Sequence, residues 1–203
     1  MKPGPTVGGA QRTRLRLLPP PAEERAPLGL AVGDVVVYAS HGIGRVEARR
    51  PGRGGLPETV ALVFESGLRV ILPLARAVDA LRPLSGEPEL EDVRRTLRAQ
   101  ASPPIEPWSR RYRATRAKVA AGQATALAEV VRDGLQREQQ LAGDRGRTTG
   151  PSDRQLYLRA RTLLSAEIAL CRGIDVAAAD AWILEQVGEP PVSGTVRERE
   201  RSG

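Results

Sequence analysis

A tryptophan and a group of cations in the stretch from Pro103 to Lys118, PPIEPWSRRYRATRAK, have the side chains best suited to chemistry in this sequence. Five cations oppose one carboxylate there, so sixteen residues carry a net charge of +4, out of +7 for the whole chain. Cations neutralise phosphates, and a flat ring stacks on bases or pushes between them. The stretch therefore suits a groove or a strand junction in DNA. The alternative is an ordinary solvated basic helix with Trp108 in a protein core.

The spacing of prolines and glycines predicts that this stretch is helical. Proline is not tolerated inside a helix, so the helix should begin just after Pro107, with Trp108 in its first turn. It should end at about Ala121, before Gly122. The cations that the helical period places roughly on one side are Arg110, Arg113 and Lys118, with Arg116 close by.

Groups for catalysis or cofactor binding are scarce. One histidine and one cysteine cannot form a His/Cys metal cluster, and the chain has neither a G-x-S-x-G motif nor a phosphate loop ending in Gly-Lys-Ser/Thr. Cys171 is expected to be a small buried hydrophobe. We therefore predict a protein that is not an enzyme and needs no cofactor or metal. An enzyme would require a pocket around His41, whose neighbouring glycines are more typical of a turn.

The overall charge and hydropathy restrict the class of partner and the compartment. A net charge of +7 favours an acidic partner, such as nucleic acid, an anionic membrane or an acidic protein face. No run of 18 apolar residues occurs, and no apolar signal core follows Lys2 and Arg12. We expect a cytoplasmic protein that does not enter a membrane.

Hydrophobic periodicity predicts an α+β protein with two domains between two tails. Residues 1–28 and 189–203 are polar and rich in proline, glycine or charge, and are expected to be disordered. Residues 29–84 alternate with period 2 and predict a small SH3/Tudor-like β-barrel. Its expected strands are Val32–Tyr38, Arg45–Ala48, Thr59–Phe64, Leu68–Pro73 and a short fifth within Val78–Leu84.

Residues 85–188 change to a period of 3.6 and predict an all-α bundle of about five helices. The expected helices besides the tryptophan helix are Pro88–Ala101, Ala124–Leu141, a helix from Ser152 to before Gly173, and one from Asp175 to Val187. Ser152 and Gln155 match a capping box, and Asp175 should cap the last helix. Gly134 should weaken the third helix by about 1 kcal/mol relative to alanine.

Two separate stretches resemble the CarD/CdnL family, whose N-terminal module is shared with the polymerase-binding domain of transcription-repair coupling factors. The first is Val32-Gly33-Asp34-Val35-Val36-Val37-Tyr38 followed by His41-Gly42-Ile43-Gly44-Arg45-Val46. The second is Pro107-Trp108-Ser109-Arg110-Arg111-Tyr112-Arg113, followed by Ala128–Asp133 and by Tyr157–Leu170. The likeness extends over residues 30–188.

The resemblance implies a transcription regulator that binds the β subunit of bacterial RNA polymerase and stabilises the open promoter complex. Trp108 would wedge into the minor groove at the upstream fork of the bubble, without reading sequence. The cations implied in DNA contact are Arg110, Arg111, Arg113 and Arg154. A monomer is expected.

The polymerase-binding surface implied by the resemblance departs from the family pattern. Ile71 stands where the family has an arginine, and Arg69, two residues earlier, would lie on the same face of the strand. Arg50 and Arg53 are the candidates in the adjoining hairpin loop. A protein-binding adaptor whose helical half merely buries Trp108 is the competing hypothesis, and the exposure of that side chain distinguishes the two.

Overall fold

The computed structural model describes residues 29–100, 107–143 and 149–188. The tails expected at 1–28 and 189–203, and Pro103 to Glu106 of the basic stretch, lie outside the described residues. Within the described part, a five-stranded antiparallel sheet precedes a bundle of five helices, which confirms the α+β class. None of the described helices is both long and apolar enough to span a membrane.

The N-terminal sheet has the strand order β4-β3-β2-β1-β5. Its elements are β1 (Val35–Tyr38), β2 (Gly42–Arg50), β3 (Thr59–Phe64), β4 (Arg69–Pro73), helix α1 (Leu74–Ala80) and β5 (Leu81–Pro83). The expected barrel is not closed, because β4 and β5 remain edge strands. The segment expected to form a fifth strand begins as α1, whose alanines and leucine favour a helix, and leaves only three residues for β5.

One face of the sheet packs on a small apolar core, and the other is partly buried on the central strands and exposed on the edge strand β4. Side chains on β3 alternate between partly and fully buried, with Val60 and Leu62 completely inaccessible. On the edge strand β4, Arg69 and Ile71 both point to the exposed face. The inference that these two side chains share one face of their strand is therefore confirmed.

The helices follow the sheet with short connections. They are α2 (Glu87–Arg98), α3 (Trp108–Ala121), α4 (Ala124–Gly143), α5 (Pro151–Arg172) and α6 (Val176–Gly188). The ends predicted at Gly122 and Gly173 are confirmed, since both glycines adopt the left-handed conformation, with φ of 66° and 65°. The Asp175 cap is confirmed as well, because the backbone N–H of Ala178 donates to its Oδ1 at 2.6 Å.

The capping box predicted at Ser152 is wrong. Helix α5 begins one residue earlier, at Pro151, so Ser152 already lies inside the first turn. Proline is favoured at a first helical position because the N–H it lacks would have no partner there. Half of such a box occurs at α2, where the backbone N–H of Gly86 donates to Glu89 Oε2 at 2.8 Å, while the glycine has no side chain to complete it.

Helix α5 is the centre of the bundle and packs on α3, α4 and α6. Its inner face includes the fully buried Leu164 and Ile168. An ion pair joins it to α6, with Arg161 donating to both carboxylate oxygens of Asp180 at 2.6 and 2.5 Å. These hydrogen bonds lower the pKa of Asp180 and raise that of Arg161.

Gly134 allows α4 and α5 to approach closely. A Cβ at this position would lie 2.5 Å from Cδ2 of Tyr157 and 2.8 Å from its Cγ, well inside van der Waals contact. Tyr157 is 4% exposed, and its hydroxyl accepts a hydrogen bond from Arg161 at 3.0 Å, so the ring has little room to turn away. The glycine that weakens α4 locally is thus required by the packing of its neighbour.

Replacing Gly134 with alanine is expected to destabilise the protein, although alanine is the better helix former. Overpacking costs about 1–3 kcal/mol and outweighs a propensity gain of about 1 kcal/mol. Thermal unfolding measures the change. In a Tyr157→Leu background, where the ring is gone, the same substitution should cost less or become stabilising. A higher melting temperature for Gly134→Ala in the wild-type background would contradict the packing argument.

Candidate nucleic-acid interface

Trp108 is the first residue of α3, and its side chain is exposed. The indole is 54% accessible and stacks on the ring of Tyr112, one helical turn later, with centroids 5.3 Å apart and planes 21° from parallel. Pro107 caps the helix without a side-chain hydrogen bond. The structure therefore presents a pair of stacked rings at the start of a basic helix. A buried Trp108, which would have favoured an adaptor, is not found.

A basic groove runs beside this aromatic pair, between α3 and α5. It is lined by Tyr112, Arg116, Thr149, Pro151, Arg154, Gln155, Leu156, Leu158, Arg159 and Thr162. The structure describes all of these residues, and none is acidic, while three are arginines. The side chain of Arg154 is 65% exposed, and its Nε lies 3.9 Å from the nearest oxygen of Glu138, a weak pairing on the surface. The groove therefore offers a positive track that leads to Trp108.

The remaining cations of α3 do not share one face. Arg110 and Arg113 are exposed on the outer side of the helix, where Arg113 Nε donates to the backbone oxygen of Ser109 at 3.3 Å. Lys118 turns towards α4, and its Nζ lies 2.6 Å from Glu129 Oε2. The prediction that Lys118 joins Arg110 and Arg113 on one side is corrected, because its charge is paired within the bundle.

Arg111 points into the bundle. Its Nη2 and the Nη1 of Arg137 both lie 3.5 Å from Oδ2 of Asp153, at the edge of a cavity of about 60 Å³ between α3, α4 and α5. The Nε of Arg111 is buried and has no hydrogen-bond partner among the described residues. Burial, followed by the positive charge of Arg111, lowers the pKa of Arg137. Contact between Arg111 and DNA would require its side chain to leave Asp153.

The candidate residues for polymerase binding lie on the sheet. Arg50 ends β2, Arg53 lies in the loop between β2 and β3, and Arg69 begins β4. The Arg69 side chain is 69% exposed, with Nη2 2.7 Å from Oε1 of Glu47. Ile71 beside it is 60% exposed. This surface belongs to the β4 side of the sheet, whereas β5, at the opposite edge, faces the helices through Arg82.

Sequence reasoning missed two members of the groove. Tyr112 was visible in principle, because residues four apart on a helix are neighbours and it follows Trp108 at that spacing. Arg159 lies on α5, and its Nη2 donates to the backbone oxygen of Ser40 at 2.6 Å. No local pattern could place it there, since the contact joins residues far apart in the chain.

His41 packs against aromatic rings and does not join a metal-binding group in the described part of the chain. The exposed imidazole of His41 packs against the rings of Tyr38 and Phe64, with centroids 5.3 and 5.4 Å away. No group of three or more His, Cys, Asp or Glu side chains within 29–100, 107–143 and 149–188 could hold a metal ion. Neither the cavity nor the groove described above includes His41.

Comparison with known proteins gives two adjacent family matches, and curated relatives include a bacterial protein. Residues 30–85 match the family model described as the CarD-like/TRCF RID domain, and residues 92–184 match CarD, C-terminal domain. The chain is also 26% identical over 148 residues to the "Putative transcription factor YdeB" of Bacillus subtilis (strain 168). That alignment covers 70% of this chain and 92% of the relative.

Proposed function

This chain belongs to the CarD family, and we propose that it stabilises the open promoter complex by holding bacterial RNA polymerase and the upstream fork of the bubble together. Membership makes the protein a non-enzymatic transcription factor with an RNA-polymerase-interacting domain. The finer proposal concerns the partner surfaces and the mechanism. The protein acts in the cytoplasm as a monomer, with the sheet on the polymerase β subunit and the helices on promoter DNA.

The observation that carries the DNA half of the proposal is the exposed Trp108, stacked on the partly buried Tyr112, beside a groove whose lining holds no acidic residue. Stacking between Trp108 and Tyr112 holds the indole ready without burying it. An apolar wedge inserted at a base step is favourable where bases are already unstacked, as at a fork. A side chain that fits only the melted fork lowers the free energy of the open state relative to the closed one. Bubble collapse is slowed for that reason.

The arginines around the wedge supply affinity without sequence specificity. The phosphate contacts in this proposal are made by Arg154 and Arg116, which line the groove, and by Arg110 and Arg113, which are exposed on the outer side of α3. Arg111 takes part only if it exchanges Asp153 for a phosphate. Recognition therefore follows the shape and melting of the DNA rather than base identity.

The polymerase half of the proposal rests on the exposed face of β4 and its neighbours. Arg69, Arg50 and Arg53 are solvent-exposed cations on the sheet, and Ile71 provides an apolar centre beside Arg69. An exposed edge strand with a mixed apolar and basic face is suited to docking on another protein. The helical half stays free to reach DNA, because it lies towards the opposite edge, β5.

The lifetime of open promoter complexes formed by a bacterial RNA polymerase, with and without the protein, tests the proposal. We expect the protein to lengthen that lifetime after a competitor is added. An unchanged lifetime with the protein still bound to polymerase would favour the adaptor function. Failure to bind polymerase at all would refute the partner assignment for the sheet.

Arg154→Ala is expected to reduce the salt dependence of binding to forked DNA. Loss of one phosphate contact lowers the slope of log K against log salt by about 0.9. Arg95→Ala is the matched control, because Arg95 is also exposed and pairs with an acidic neighbour, but lies on α2. Titrations at several salt concentrations measure the slope. Equal slopes for the two variants would remove Arg154 from the interface.

A further inference from the structure

A buried ion pair joins the sheet to the helical bundle. Arg82, the middle residue of β5, donates from Nη1 and Nη2 to the two carboxylate oxygens of Glu167 on α5, each at 2.6 Å. The Glu167 side chain is 1% exposed and that of Arg82 is 16% exposed. This two-pronged geometry fixes direction as well as distance.

The same arginine also holds the end of the helix that carries Trp108. Arg82 Nε and Nη2 donate to the backbone oxygen of Gly122 at 2.9 and 2.7 Å. Gly122 caps α3, and the carbonyls at a helix C-terminus carry partial negative charge that favours a cation. A Cβ on Gly122 would lie 2.6 Å from the Cβ of Ala39, so α3 ends directly against the turn between β1 and β2.

Glu167 accepts two further hydrogen bonds, both from Ser85. The backbone N–H and the hydroxyl of Ser85 donate to its Oε1 at 2.9 and 2.8 Å. A buried ion pair is weak evidence for stability, because apolar residues of similar volume often stabilise as well. An apolar contact is not directional, whereas these hydrogen bonds fix the orientation of β5, α5 and the end of α3 relative to one another. The arrangement of Arg82, Glu167 and Gly122 is named the clamp below.

We propose that Arg82 and Glu167 are positioning residues, which fix the angle between the sheet that carries Arg69 and the helix that carries Trp108. This inference rests on the proposed function, in which one molecule holds polymerase and the fork at once. A second site is engaged at high effective concentration only when the linkage places it within reach. A rigid clamp meets that condition, whereas a loose joint would spread Trp108 over many positions.

The contacts around the clamp are consistent with a fixed joint. Arg159 on α5 donates to the backbone oxygen of Ser40 in the β1–β2 turn, and a Cβ on Gly42, the first residue of β2, would lie 3.5 Å from Cδ2 of Leu163. These contacts surround the clamp but lack its paired charges. The clamp is therefore the place where a small chemical change should alter the angle most.

The test is Glu167→Gln, which keeps the shape of the side chain and removes its charge. We expect the affinities of this variant for an isolated β-subunit fragment and for forked DNA alone to stay within about twofold of wild type. The factor by which it lengthens the open-complex lifetime should fall about fivefold or more. If Glu167→Gln does not fold, Arg82→Lys is tested instead. Lysine keeps the charge but lacks the planar guanidinium that bridges Glu167 and Gly122.

Asp180→Asn is the matched control. It weakens a similarly two-pronged ion pair, Arg161–Asp180, that joins α5 to α6 and leaves the sheet and α3 untouched. A smaller loss of thermal stability is expected for this variant, because the Asp180 side chain is 32% exposed, and no loss of lifetime is expected. If both variants lost lifetime in proportion to their stability, the clamp would be a structural pair only, and the proposal would be overturned.

A distance measurement separates this inference from the proposed function. Spin labels at Val78→Cys on α1 and Ala114→Cys on α3 report the distance between the sheet domain and α3 in the free protein. The background is Cys171→Ser, whose hydroxyl can replace the thiol that donates to the backbone oxygen of Ser85. We expect one narrow distribution for the wild type and for Asp180→Asn, and a broader one for Glu167→Gln. If Glu167→Gln gave a broad distance distribution but lengthened the open-complex lifetime as much as the wild type does, the positioning role would be overturned. An inactive wild type would instead refute the proposed function, while a narrow distribution in Glu167→Gln would refute the clamp.

Discussion

Trp108→Ala is expected to return the open-complex lifetime to its value without the protein, while binding to polymerase is unchanged. Aromatic stacking on a base contributes about 1–3 kcal/mol, so affinity for forked DNA should fall about 5- to 140-fold. The fold should survive, because the indole is 54% exposed and contacts Tyr112 at the surface. Competitor challenge of open complexes and equilibrium binding to a forked duplex provide the two measurements.

Two further variants test whether the effect requires an aromatic ring at position 108. Trp108→Phe keeps a flat apolar ring and should retain part of the effect. Leu184→Ala removes an exposed apolar side chain on α6 and should have none. Full lifetime with Trp108→Ala would eliminate the wedge mechanism, although polymerase binding would remain.

Arg69→Glu is expected to weaken binding to the polymerase β subunit at least about tenfold, since like-charge juxtaposition at an interface costs several kcal/mol. The new carboxylate would also face Glu47, the present partner of Arg69. Affinity for forked DNA should not change, because the helices are untouched. Binding to a β-subunit fragment by calorimetry measures the loss.

Arg95→Glu is the control for Arg69→Glu. Arg95 is 74% exposed and lies 2.9 Å from Asp92, which matches the 69% exposure and 2.7 Å pairing of Arg69. Ile71→Arg should restore binding in the Arg69→Glu background, because Ile71 shares the exposed face of β4. Equal losses from Arg69→Glu and Arg95→Glu would show that net charge alone matters.

The clamp gives these two predictions a common physical basis. Arg69 and Trp108 lie on separate surfaces, so each substitution should affect one partner and spare the other. The lifetime of the open complex depends on both partners at once. Only a change at the joint, such as Glu167→Gln, is expected to impair that lifetime while leaving both separate affinities intact.

Local features of the sequence determined much of the fold. Strand β3 has the predicted bounds, because Thr59–Phe64 is mostly apolar, half of its residues are β-branched, and its side chains alternate between the two faces. Helix α3 also begins and ends where predicted, because Pro107 cannot lie inside a helix and Gly122 readily adopts the left-handed conformation. The two motifs that resembled the CarD family also predicted the membership that the family matches show.

Errors arose where nearby alternatives have similar local propensity. The segment around Val78 was predicted to be a strand, but Val78 lies within Leu74–Ala80, which folds as helix α1. Ser152 suits a cap, but Pro151 before it takes the first helical position. In each case the two local structures differ little in free energy, so neighbouring residues determine which one forms.

Only the tertiary structure decided how the site is assembled. Exposure of Trp108, the inward turn of Arg111 and the pairing of Lys118 with Glu129 depend on where α4 and α5 pack against α3. Arg82 and Glu167 are 85 positions apart. No periodicity or spacing in the sequence predicts their contact. The two residues meet because β5 and α5 are buried against each other, which local geometry does not determine.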